Sequence, residues 1–100
     1  MIVISGTITM DPVHLDAIVT AVATLETATT AEDGCAAYGF WQSTSIPGHF
    51  RVYEEWESSE AIDAHIVSPH MATFMGAAGG FGISAMEIWR YDGAERSKFM

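Results

Sequence analysis

Residues 2 to 10, IVISGTITM, alternate with a period of two, and at Asp11-Pro12 the apolar period changes to between three and four. The alternation sets Ile2, Ile4, Ile8 and Met10 on one face of a strand and Val3, Ser5, Thr7 and Thr9 on the other. Asp11 then offers a helix cap, and Pro12 stands at the first helical position, where its missing N–H costs nothing. Leu15, Ile18, Val19, Val22 and Leu25 form one apolar stripe, predicting a helix over about residues 12 to 31 that TATTAEDG weakens and Gly34 ends. A strand that hands over to a helix within two residues demands a mixed architecture.

The rest of the chain completes the pattern. CAAYGFWQS at 35 to 43 and FRVYEEWE at 50 to 57 read as strands joined through the turn signal SIPGH, hence a hairpin. Ser58 or Ser59 caps a helix in which Ala61, Ile62, His65 and Ile66 share a face. SPH breaks it and starts a short helix at Ser68 and Pro69, with Met71, Phe74 and Met75 expected on its buried side. GAAGG closes this helix, FGISAMEIWRY supplies a last strand, and DGAERSKFM is a polar tail. The order β-α-β-β-α-β predicts an α+β, ferredoxin-like domain over residues 1–93, with two helices on one face of a four-stranded antiparallel sheet, and a tail at 94–100. Large residues on both strand faces, such as Phe40 with Trp41 and Ile88 with Trp89, predict that the second face is buried against another copy, giving a homodimer.

Charge and cysteine content remove several function classes. Thirteen acidic residues against four cationic ones give a net charge of −9, which repels a nucleic-acid backbone or an anionic membrane. Cys35 is the only cysteine, so neither an intramolecular disulfide nor a multi-thiolate metal site can form within one chain. No stretch reaches the roughly 18 apolar residues of a spanning helix, and MIVISGTITM lacks a signal-peptide pattern, so a cytoplasmic location is expected. GAAGGFG has the wrong glycine spacing for a dinucleotide fingerprint and reads as a helix end and connector that could gate a pocket.

The stretch YEEWESSEAIDAHIVSPHMATF resembles the pattern E-x-W, A-x-x-x-H, S-P-H and an aromatic of the antibiotic biosynthesis monooxygenase family of dimeric α+β barrels. AEDGCAAYGF resembles the same family's E-x-G-C-x-x-Y approach to its second strand. The resemblance implies a homodimer and a pocket that uses neither metal nor flavin. The family also includes haem-degrading enzymes, but this chain has no Asn and few cations to meet haem propionates. Fold alone does not settle among the family's activities.

Candidate site residues follow from both readings. His65 lies four residues after Ala61, on the face turned to the sheet, and is the candidate base, because imidazole titrates near neutral pH. Tyr38 and Trp56 are candidate catalytic donors to a substrate oxygen. Glu54 shares the apolar face of Trp56 and calls for a partner, with Arg90 or a histidine as candidates. Glu54, His70, Met71, Phe74 and Phe40 are the expected substrate-binding residues, with capping as the other role open to His70. His65 and His70 stand five apart with a proline between them, a spacing that argues against a shared metal. His14 and His49 lie near a helix start and a turn, and Cys35 reads as a small hydrophobe.

The expected function is a small cofactor-independent monooxygenase that oxidises an electron-rich quinol, phenol or anthrone with molecular oxygen. The same pocket would also suit a non-catalytic dimeric small-molecule-binding or stress-response barrel, or an isomerase of a small oxygenated metabolite that uses His65 as a proton shuttle.

Overall fold

The computed structural model describes all 100 residues. Its strands are β1 (Ile2–Thr9), β2 (Cys35–Gln42), β3 (His49–Trp56) and β4 (Ala85–Tyr91), and its helices α1 (Leu15–Thr30), α2 (Ser59–Ile66) and α3 (Pro69–Ala78). The sheet runs β2-β3-β1-β4 with every pair antiparallel, the ferredoxin-like order. The period-two reading of β1 holds. Ile2, Ile8 and Met10 are buried under the helices with Phe50, Val52 and Trp56 from β3.

The first helix does not run unbroken from residue 12. Asp11 accepts a hydrogen bond from Val13 N at 3.0 Å and its carbonyl accepts one from His14 N, which winds Pro12–His14 into a 3₁₀ turn before α1 begins. Ile18, Val22, Leu25 and Thr29 make the buried stripe of α1, and Val19, expected on it, is exposed. Ser58 and Ser68 cap α2 and α3, accepting from Ala61 N and Met71 N. Within α3, Phe74 and Ala78 lie one turn apart and face the core, whereas Met75 and, on α2, Ile66 turn outward.

The last strand starts four residues later than its sequence suggests. Gly82 has φ +67°, a conformation that a pleated strand cannot carry, and Phe81 folds into the core while its carbonyl accepts from Asp11 N. Pairing with β1 begins only at Ala85. All seven residues of β4 are exposed. The face away from the helices carries Trp41, Tyr53, Trp89 and Tyr91, with Ser5 paired to both Tyr53 and Trp89. No helix is long and apolar enough to cross a membrane.

Candidate active site

A pocket of about 200 Å³ lies between the helix-facing side of the sheet and helices α2 and α3. Most of its wall is apolar, with Ile4 and Ile8 as floor and Phe40, Met71 and Phe74 as sides. Three titratable residues, Tyr38, Glu54 and His65, complete the wall. Each reaches it from a different element: Tyr38 from β2, Glu54 from β3 and His65 from α2. Exposed Ile66, Met75, Met86 and Ile88 form the rim, next to the β4 edge.

His65 is 4% exposed, and its ring packs at 4.9 Å from Trp56 and 5.4 Å from Tyr38, centroid to centroid. Its Nδ1 lies 2.7 Å from Glu32 Oε2, and the same oxygen lies 2.8 Å from His70 Nε2. A carboxylate only accepts, so Nδ1 of His65 and Nε2 of His70 both carry hydrogen. In the neutral ring this leaves Nε2 as the nitrogen without hydrogen, and no hydrogen bond within the chain engages it.

Glu54 is nearly buried, and burial raises its carboxyl above the ordinary carboxylate range. The hydrogen bond from Trp56 Nε1 to Glu54 Oε1, 2.8 Å, and the nearby His65 oppose that shift, while Glu32 adds to it. The expected pairing with Arg90 does not occur: Arg90 bonds Asp92 and Ser59 instead. Burial, with the neighbouring charges of Glu54, Cys35, Glu26 and Glu32, drives the Tyr38 phenol far above its usual value, so Tyr38 keeps its hydrogen at any physiological pH. Its hydroxyl is a donor without a partner in the chain.

The structure therefore gathers Tyr38, Phe40, Glu54, His65, Met71 and Phe74 round one pocket. Two candidates stand elsewhere. Trp56 is fully buried behind the wall with its N–H engaged by Glu54, so it holds Glu54 and supports the His65 ring. His70 lines a separate groove of about 610 Å³ between α1 and α3. His14 and His49 lie outside both, His49 bonding Thr9.

Glu32 is the residue that sequence reasoning passed over. It stands 33 positions from His65, in the turn after α1, within the quoted AEDGC motif. Gly34 brings that turn close: its φ is +82°, its carbonyl accepts from Glu57 N, and a Cβ there would meet Ala61 Cβ at 2.6 Å. The five-residue histidine step does not keep His65 and His70 apart, because Glu32 joins them from a third element. Glu32, His65 and His70 are the residues whose ligand atoms converge, all within 4.8 Å of one another. Their contacts of 2.7 and 2.8 Å are hydrogen-bond lengths, shorter than the roughly 3.3 Å between two ligands tetrahedral about zinc.

An apolar pocket between an antiparallel sheet and its helices, with a histidine, a tyrosine and a glutamate in its wall, defines a small-molecule site on a ferredoxin-like domain. The sequence matches the antibiotic biosynthesis monooxygenase family over residues 1–77, and the chain belongs to that family. A proposed antibiotic biosynthesis monooxygenase from Deinococcus radiodurans is 26% identical, with a TM-score of 0.90 over 100% of this chain and 99% of that one. A Mycobacterium tuberculosis protein is 22% identical at TM-score 0.85, covering 97% of this chain and 98% of its own. A proposed monooxygenase from Nitrosomonas europaea is 19% identical at TM-score 0.87, covering 95% and 100%. The latter two likenesses speak to fold alone. Among curated proteins none matches the chain.

Proposed function

We propose that this chain is a cofactor-independent monooxygenase that oxidises a small electron-rich phenol or quinol with molecular oxygen. The observation that carries this reading is the nearly buried His65 in the wall of an apolar pocket, its Nδ1 bonded to Glu32, with the partnerless Tyr38 hydroxyl and the raised carboxyl of Glu54 beside it. Volume narrows the substrate. A cavity of about 150 Å³ holds benzene, whereas drug-sized ligands occupy roughly 300–1,000 Å³. About 200 Å³ suits one ring or two fused rings, and a tricyclic anthrone needs the rim methionines to move.

In this mechanism His65 Nε2 takes the phenolic proton, and the resulting anion passes one electron to oxygen. The radical pair combines at the ring carbon para to the oxygen, and the Tyr38 hydroxyl donates to the peroxide so formed. The imidazolium protonates that peroxide. His65 then removes the hydrogen from the same carbon as the O–O bond breaks, and this second proton joins the departing hydroxide. For a phenol with a free para position the balance is substrate plus O₂ giving quinone plus water. The protein binds, deprotonates and excludes bulk water, with reducing equivalents supplied by the substrate.

The assembly that fits this reading is a homodimer through the outer sheet face, where Trp41, Trp89 and Tyr91 are each more than half exposed. Oxygen consumption by the metal-stripped protein with naphthols and naphthoquinols, beside autoxidation blanks and the His65→Ala variant, tests the activity. Uptake that depends on His65 is expected. Binding of the same compounds without uptake would favour a ligand-binding barrel instead.

A further inference from the structure

The Glu32 carboxylate takes two imidazole N–H groups on a single oxygen, and the three residues come from the α1–β2 turn, α2 and α3. We propose that Glu32, anchored by His70, is a positioning residue that fixes His65 as the Nδ1–H tautomer, keeps its Nε2 bare toward the pocket and holds the imidazolium formed when Nε2 takes a proton. This proposal deepens the oxygenase reading and rests on it for the catalytic consequence, though not for the tautomer.

Three observations converge on it. Histidine free in water favours the opposite, Nε2–H tautomer, so a base that acts through Nε2 needs a fixed acceptor at Nδ1. Glu32 supplies one at 2.7 Å, and its side chain is only 16% exposed, so water competes weakly for it. A carboxylate at the end of a turn could nevertheless swing away from a single partner. The second bond, 2.8 Å from His70, removes that freedom, and His70 is itself held at the start of α3 by the Ser68 cap and Pro69. The arrangement follows the logic of base and orienting carboxylate in hydrolytic triads, with a second imidazole added to hold the carboxylate. The titratable groups gathered around this triad are Glu54 from β3, and Cys35 and Tyr38 from β2. None of them hydrogen-bonds to the imidazole of His65.

The test reads the histidine rings directly. Long-range ¹H–¹⁵N correlation spectra of the ligand-free protein, in its neutral form, should show His65 protonated at Nδ1 and bare at Nε2. Glu32→Ala should return His65 toward the Nε2–H form. Glu32→Gln, which keeps an acceptor oxygen without charge, should retain the tautomer yet lower kcat by about 10- to 100-fold with KM within about twofold. His70→Ala should give mixed tautomers and lower kcat by about 10-fold, and His70→Gln, whose amide can still donate to Glu32, should recover most of it. An Nε2–H tautomer in the wild type, or an unchanged Nδ1–H tautomer in a folded Glu32→Ala protein, overturns the proposal. An Nδ1–H tautomer that depends on Glu32 in a protein that consumes no oxygen supports the positioning and overturns the oxygenase reading alone.

Discussion

Replacing Trp56 by phenylalanine separates what its ring does from what its N–H does. Trp56 is 0% exposed, and its Nε1 donates to Glu54, whose carboxyl is nearly buried and raised above its ordinary range by desolvation. Shrinking the indole to a phenyl ring costs about 1 kcal/mol in lost packing. Losing a hydrogen bond to an ionised carboxylate adds about 1.5–3 kcal/mol, against about 0.5–1.5 kcal/mol when the acceptor is neutral. The expected loss is therefore about 2.5–4 kcal/mol at alkaline pH, where Glu54 is ionised, and about 1.5–2.5 kcal/mol at acid pH, where it is protonated.

The sign of this pH dependence follows from linkage. A carboxyl raised in the folded state binds its proton more tightly there than in the unfolded chain. Its stabilising contribution is present at acid pH and is lost as pH climbs from the ordinary carboxylate range through the raised value. Without the Trp56 N–H the raised value moves further up, so the alkaline loss grows. Urea denaturation at both pH values and one fixed protomer concentration measures this, and adding Glu54→Gln should erase most of the pH-dependent part. Equal destabilisation at both pH values, with additive double-variant energies, would refute the reasoning.

Other consequences are simpler to measure. The Cys35 thiol is pushed up to about 11 by burial and by the charges of Glu32 and Glu54, so iodoacetamide should label it far more slowly at neutral pH than a free thiol, with a rate that keeps climbing with pH and levels off only above about pH 11. Gly34→Ala should destabilise the fold by more than about 1 kcal/mol, from its positive φ and the contact with Ala61, and displace Glu32 enough to lower activity, as thermal melts and kinetics would show. Trp89→Glu puts a charge on the outer sheet face and should convert a dimer to monomer in sedimentation while leaving the pocket intact.

The fold was legible because local rules agree along the chain. Period two in Ile2–Thr9, the Asp11-Pro12 switch and the serine caps at Ser58 and Ser68 each point to the element that forms. The errors have local causes as well. Gly82 delays β4, Val19 falls beside the stripe of α1, and Met75 stands about 100° round the helix from Phe74, on the rim of the pocket. His65, Tyr38 and Glu54 could be found as polar residues on faces that periodicity marks as buried. Glu32 could not, because it sits in a polar turn where nothing local distinguishes it, and only tertiary packing of Gly34 against Ala61 carries it to His65. The AEDGC motif was the one signal in the chain that included it.

The most direct test of the oxygenase mechanism is turnover of 1-naphthol under ¹⁸O₂ by metal-stripped protein, with the mass of the quinone as readout. One ¹⁸O atom in each naphthoquinone, with the label lost together with turnover in His65→Ala, is the predicted result. Quinone formed at the same rate in that variant, or no quinone above the autoxidation blank from folded protein that binds the naphthol, would contradict it.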